Sequence, residues 1–149
     1  MKSFSNPDQS RWFIPVASLF LYVAACALPC LEFEKDGREI WYGYSILLMG
    51  WMAILVGQIA WLANPLWLAA MFFFVFRKWR WSIGFSLFGL LLSFTTFMLF
   101  GRQIPANEGG VGKLDLQQLR IGFYVWLLSL LILFFGAIFM DRRERTAAG

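Results

Sequence analysis

Six polar side chains mark where this chain could do chemistry: Gln58, Asn64, Ser93 and Thr96 within apolar stretches, and Asn107 and Glu108 in a loop that carries adjacent glycines. An amide in hydrocarbon needs a hydrogen-bond partner, so Gln58 is expected to bond across helices to Ser93 or Thr96. With Asn64 and the hydroxyls of Ser82 and Ser86, such groups could line a polar path. The simpler reading is helix packing, with each hydroxyl bonded to the preceding turn of its own helix. Asn107-Glu108-Gly109-Gly110 sets a carboxylate beside residues that tolerate positive φ and leave backbone amides open. That combination suits a ligand-holding or catalytic carboxylate. Glu32, Glu34, Glu39 and Asp115 could join it as an acidic ion site, or stand simply as solvated charge.

Enzyme chemistry finds little footing beyond this. The chain has no histidine, no glycine-rich phosphate loop, no serine elbow and no metal-ligand spacing. The expectation is therefore a protein that is not an enzyme and holds no cofactor or metal. Cys26 and Cys30 are the two cysteines. On one helix, their i, i+4 spacing would place both on one face with poor disulfide geometry, so they read as small buried hydrophobes. Val23-Ala24-Ala25-Cys26 resembles a bacterial lipoprotein cleavage box. The apolar run continues past it to Leu31, as a membrane span would.

The elements that carry these residues follow from charge. Residues 12–31, 40–76, 81–101 and 121–140 contain no Asp, Glu, Lys, Arg or His, and about 20 apolar residues suffice for a helix to cross a bilayer. The chain is 60% hydrophobic, against about 45–50% for a soluble domain. A single integral membrane domain over 1–149 is expected, with spans near 12–31, 45–76, 81–101 and 121–140 and outer loops at 32–44 and 102–120. Asn64-Pro65 lies inside the second stretch. Proline there removes a helical hydrogen bond and asparagine is a good N-cap, so the helix is expected to kink or break at that pair. A turn there would instead give five spans.

Asp36-Gly37 signals a tight hairpin turn between alternating flanks, and Lys113-Leu114-Asp115-Leu116-Gln117 alternates as a strand would. Four spans place both loops on one side of the membrane, where they can share a sheet. The expected fold is thus an all-α membrane protein: an antiparallel four-helix transmembrane bundle with a small β-hairpin or sheet from the two outer loops. Small residues recur at heptad-like spacing: Gly50, Ala53, Gly57, Ala60 and Asn64, then Ser82, Ser86, Gly89, Ser93 and Thr96, then Gly122, Ser129 and Gly136. Such stripes let helix backbones approach closely in lipid.

The formal charge of +4 collects at helix ends. Arg77, Lys78 and Arg80 share a side with Arg142, Arg143 and Arg145, the cytoplasmic one. The Lys and Arg count is equal for four and five spans, and it is the four-span arrangement that brings the N-terminus to that side as well. No basic patch interleaved with exposed aromatics appears, so nucleic acid is not an expected partner.

The architecture of four spans with a sheet built from the outer loops resembles that of claudin-type proteins. The claudin outer-loop signature of a tryptophan, a Gly-Leu-Trp and two cysteines is not met, since Trp41 stands without a following loop cysteine. The expected role is a small multi-pass protein of a bacterial inner membrane, acting as an accessory, assembly or interaction subunit in the lipid bilayer, with a membrane protein partner or a homo-oligomer. The alternatives are a homo-oligomeric channel or transporter subunit and a lipid-handling protein.

Overall fold

The computed structural model describes residues 7–34, 37–100, 103–105 and 113–148. Helix α1 is described over Pro7–Ala27. Pro15 lies well inside this helix, rather than in its first turn as a start at residue 12 would have it. The helix closes at Ala27, because Pro29 disfavours helical geometry at the residue before it. Strands β1 (Pro29–Glu34) and β2 (Arg38–Tyr42) then pair antiparallel. Asp36 of the expected turn lies outside the described residues.

Strands β3 (Gln103–Pro105) and β4 (Lys113–Leu119) come from the second loop, and the sheet order is β2-β1-β4-β3. The two loops therefore meet in one antiparallel sheet, of four strands rather than three, with Leu31 opposite Leu119 and Phe33 opposite Leu116. Register irregularities fall between Pro29 and Leu31 on the β2 side and between Glu32 and Phe33 on the β4 side. Bulges of this kind re-aim side chains. They account for the burial of Cys30, Leu31, Glu32 and Phe33 in succession, where strict alternation would bury every second residue.

Glu32, only 5% exposed, is the charged member of that run. Its Oε1 lies 2.6 Å from Arg38 Nε, and its Oε2 accepts from Arg120 Nε at 2.5 Å. One carboxylate thus ties β1 to β2 and to the junction of β4 with the last helix. Glu32→Gln is expected to lower stability by about 1–3 kcal/mol, because it leaves the half-buried Arg120 without its counter-charge. Denaturant titration in detergent would measure this, and an unchanged midpoint would refute it.

Between the loops, the uncharged stretch 40–76 is not one helix. Helix α2 (Gly43–Met49) tightens into a 3₁₀ segment (Gly50–Val56) that ends at Gly57, with φ of 81°. A 3₁₀ turn (Ala60–Leu62) leads into α3 (Ala63–Val75). The break therefore falls at Gly57–Ile59, not at Asn64-Pro65. A left-handed residue ends a helix, and glycine adopts that conformation readily. Pro65 sits in the first turn of α3, where it is tolerated. Asn64 is not the N-cap, which is Leu62; its Nδ2 donates to Trp61 O at 3.1 Å.

The path of this stretch is fixed by its bonds. Gly43 N donates to Leu28 O (3.0 Å), Trp61 Nε1 donates to Leu47 O (3.0 Å), and Gln58 Nε2 donates to Thr95 O (3.2 Å). Residues 43–59 thus leave the sheet end of the molecule and come back to it. From there α3 runs to the opposite end, where Arg11 Nη2 donates to Val75 O (3.0 Å).

A tight turn at Phe76–Lys78, with Arg77 at φ of 60°, leads to α4 (Trp79–Ser93). A 3₁₀ segment (Phe94–Leu99) extends α4 back toward the sheet, and α5 (Ile121–Ala148) completes the fold. The chain is mostly helical with this one small sheet. The stretches Trp79–Leu99 and Ile121–Ala147 are each long and apolar enough to cross a membrane; Arg11–Ala27, Gly43–Leu55 and Ala60–Val75 are shorter apolar helices.

The small residues lie where helices meet. Ser82 Oγ donates to Ala70 O, Gly89 faces Leu130 and Leu66, and Gly136 faces Ile14. These contacts run antiparallel for the pairs α3–α4, α4–α5 and α1–α5. The core they enclose contains Trp67, Phe74, Leu130, Leu133 and Ala137. A second cluster, with Leu31, Phe33, Leu99, Leu116, Leu119 and Phe123, joins the sheet to the helix ends. Large apolar side chains such as Phe13, Phe20, Leu68, Phe88 and Phe135 face outward.

A candidate apolar ligand site beneath the sheet

Residues 43–59 do not fill the space they enclose. A cavity of about 680 Å³ lies between this segment, the sheet and the helix ends. The sheet contributes Leu31, Phe33 and Trp41; the segment contributes Ile46, Leu47, Met49, Met52, Ala53 and Leu55. Helix ends close the remaining walls with Tyr22, Asn64, Leu99, Phe123 and Trp126. Small-molecule sites span about 300–1,000 Å³ and combine apolar walls with a few fixed polar groups. Among the described residues, none that lines this cavity is charged.

The polar groups of the wall are held by one another. Asn64 is buried at the meeting of three helices. Its Oδ1 accepts from Tyr22 Oη on α1 (3.0 Å) and from Trp126 Nε1 on α5 (3.0 Å). Tyr22 stacks on Trp67 with ring centroids 4.0 Å apart, and Trp67 Nε1 donates to Ser18 Oγ (3.1 Å). Ser18 Oγ in turn donates to Ser129 O (2.8 Å). Tyr22 and Trp126 thus present aromatic rings to the cavity with their polar atoms satisfied, and Trp67 backs Tyr22 from the helix core.

Gln58 also lines the cavity, but its partner is Thr95 and not Ser93 or Thr96. Thr95 Oγ1 and Ala60 N donate to Gln58 Oε1 (3.2 and 3.4 Å). Gly57 ends the preceding helical segment, and that reversal aims Gln58 at the last turn of α4. Thr96 is buried and lines the cavity. Ser93 is fully buried and donates to Leu90 O (2.6 Å), away from it. Ser82 and Ser86 donate to backbone carbonyls in the same manner, so the hydroxyl stripe of α4 lies in helix seams. Of the six sequence candidates, the cavity brings together Gln58, Asn64 and Thr96. Asn107 and Glu108 lie outside the described residues.

The acidic ion site takes a different form, since Glu32 is committed to Arg38 and Arg120. Among the described residues, no group of three His, Cys, Asp or Glu side chains is placed to hold a metal. Sequence reading missed Tyr22, Trp61 and Trp126 as site residues. Their only signal was an aromatic with a polar atom near the end of an apolar stretch, a feature that interface anchors share.

Both thiols line the cavity wall, but Cys30 belongs to β1 rather than to the helix of Cys26. Cys30 Sγ donates to Ala25 O and Leu28 O, each at 3.6 Å. Burial, and secondarily the nearby Cys26, pushes the Cys30 thiol up to about 12. Since the thiolate is the nucleophile, Cys30 is expected to resist iodoacetamide at pH 8 in the folded protein and to react once the protein is denatured. Mass spectrometry of the alkylated peptide would decide it.

The chain matches no family profile, no curated protein and no solved structure.

Proposed function

We propose that this chain is a four-span membrane protein that acts without catalysis by holding an apolar, lipid-like molecule in the cavity beneath its sheet. The observation that carries the reading is the uncharged cavity of about 680 Å³, walled by aliphatic and aromatic side chains. In this arrangement α1, α3, α4 and α5 cross the bilayer as an antiparallel four-helix bundle, and residues 43–59 enter and leave on the sheet side. Both termini then share a side, the cytoplasmic one by the distribution of Arg and Lys, and a bacterial inner membrane fits the composition. The outward Phe, Leu and Trp side chains support a lipid surround. The role is that of an accessory protein that keeps or presents its ligand to a membrane pathway. The hydroxyls buried in helix seams favour this over a channel lined by the Ser82–Thr96 face.

The test is native mass spectrometry of the protein extracted gently from its host membrane. A bound lipid at fixed stoichiometry is expected. Ala53→Phe, which directs a ring into the cavity, is expected to lose that lipid while retaining the wild-type helical content. A protein that releases every lipid as readily as its variant does would overturn the reading.

A further inference from the structure

The hydrogen-bond capacity left open around the cavity narrows what it can take. An amide side chain accepts two hydrogen bonds at oxygen and donates two from nitrogen. Asn64 Oδ1 already accepts two, from Tyr22 and Trp126, whereas Nδ2 gives one, to Trp61 O. At Gln58, Ala60 N donates to Oε1 (3.4 Å), the one hydroxyl hydrogen of Thr95 is divided between Oε1 (3.2 Å) and the nearer Leu92 O (2.6 Å), and Nε2 gives one bond, to Thr95 O. Asn64 therefore has a full oxygen, and each amide has one N–H still to give. The indole and phenol donors of the wall are spent: Trp41 Nε1 on Glu39, Trp61 Nε1 on Leu47 O, Trp126 Nε1 and Tyr22 Oη on Asn64.

We infer that the cavity takes an uncharged lipid whose polar end is a hydrogen-bond-accepting carbonyl, as in an acyl ester, seated against Gln58 and Asn64. This deepens the lipid-holding reading and rests on it. An ionised head would enter a wall whose described residues offer no charge to meet it, at a large desolvation penalty. A bare hydrocarbon would leave the two amide donors unpaired. An alcohol can accept from the same amides, but its hydroxyl hydrogen adds a donor beside Asn64 Oδ1, which is already full.

The experiment uses the full-length protein in detergent and a diazirine-bearing methyl hexadecanoate as the probe. Photolysis is expected to label residues 46–61. Unlabelled methyl hexadecanoate is expected to displace the probe at about tenfold lower concentration than hexadecane, hexadecan-1-ol or hexadecanoate at pH 8, the worth of one or two added hydrogen bonds. Gln58→Leu should erase most of the ester's advantage over hexadecane without abolishing labelling, and Gly84→Ala, whose added Cβ meets nothing within 4 Å, should leave that advantage in place. Equal competition by hexadecane or by the alcohol overturns the carbonyl assignment and leaves the apolar site standing. Stronger competition by hexadecanoate overturns it in favour of an anionic head. Labelling spread evenly over the outward faces of the helices overturns the cavity reading itself.

Discussion

Asn64→Leu is expected to loosen the helix assembly more than any other single polar-to-apolar change. Leucine branches at Cγ as asparagine does, so the outline is largely kept while the bonds vanish. Tyr22 Oη and Trp126 Nε1 lose their common acceptor, and Trp61 O loses a donor. Leaving a buried donor without a partner costs about 1–3 kcal/mol, whereas interhelical bonds in membrane proteins average about 0.6 kcal/mol and reach about 1.7. With two interhelical bonds lost, the drop should be about 2–3 kcal/mol, close to the sum of the orphaned donors. Unfolding in mixed micelles measures it. Tyr22→Phe removes one of these bonds and should account for about half of the loss. In the double variant the Tyr22 change should add little. Full additivity would mean that Asn64 acts by packing alone.

Gly43→Ala is the other change of large effect, and it comes from one methyl group. A Cβ at Gly43 would run into Ala25 O and lie 2.8 Å from Cys26 Cα and 2.9 Å from Ala25 C. All three are backbone atoms of α1, so no flexible side chain can give way. The segment must lift off α1 and lose the bond from Gly43 N to Leu28 O. Overpacking costs about 1–3 kcal/mol, and a rigid backbone clash belongs at the top of that range. Lifting this segment also unseats one wall of the cavity, so ligand retention should fall with stability. Two other glycines supply the contrast. Gly84→Ala meets nothing within 4 Å inside α4 and should gain up to about 1 kcal/mol from helix propensity. Gly57→Ala also meets nothing, and carries only the strain of its positive φ, about 1–2 kcal/mol. Thermal midpoints for the three variants should rank Gly84→Ala above Gly57→Ala above Gly43→Ala.

How much of this was legible in the sequence depends on the kind of signal each part leaves. The apolar segments and the pairing of the two loops were readable, because charge-free runs and alternating flanks are local patterns. The helix break was not. Asn64-Pro65 is the stronger local signal for a break, but a proline in a first turn is also a normal helix start. Gly57 ended the helix instead through a conformation that leaves no neighbouring mark in the chain. The burial of Glu32 was hidden for a related reason. Strand alternation placed it on the solvent side, and only bulges set by pairing with distant partners turned it inward. Gln58 was readable as a group in need of a partner, but Thr95 rather than Thr96 faces it, since the 3₁₀ geometry after Ser93 shifts each side chain around the axis. The cavity had no sequence signature, because it is the space left when a segment turns back short of filling the volume it encloses.

The pairing of β1 with β4 also has a consequence for biosynthesis. The bond between Glu32 and Arg120 joins residues 88 positions apart, and Leu31 and Phe33, paired with Trp41 and Glu39 on β2, meet Leu119 and Leu116 only when β4 is present. When β1 and β2 leave the ribosome, most of the chain that will complete their sheet has yet to be made. A two-stranded hairpin by itself is marginally stable, and contacts between distant parts of a chain form late. The roof over the cavity therefore closes only as the last helix is made. Any truncation before β4 leaves both the hairpin and the cavity unfinished.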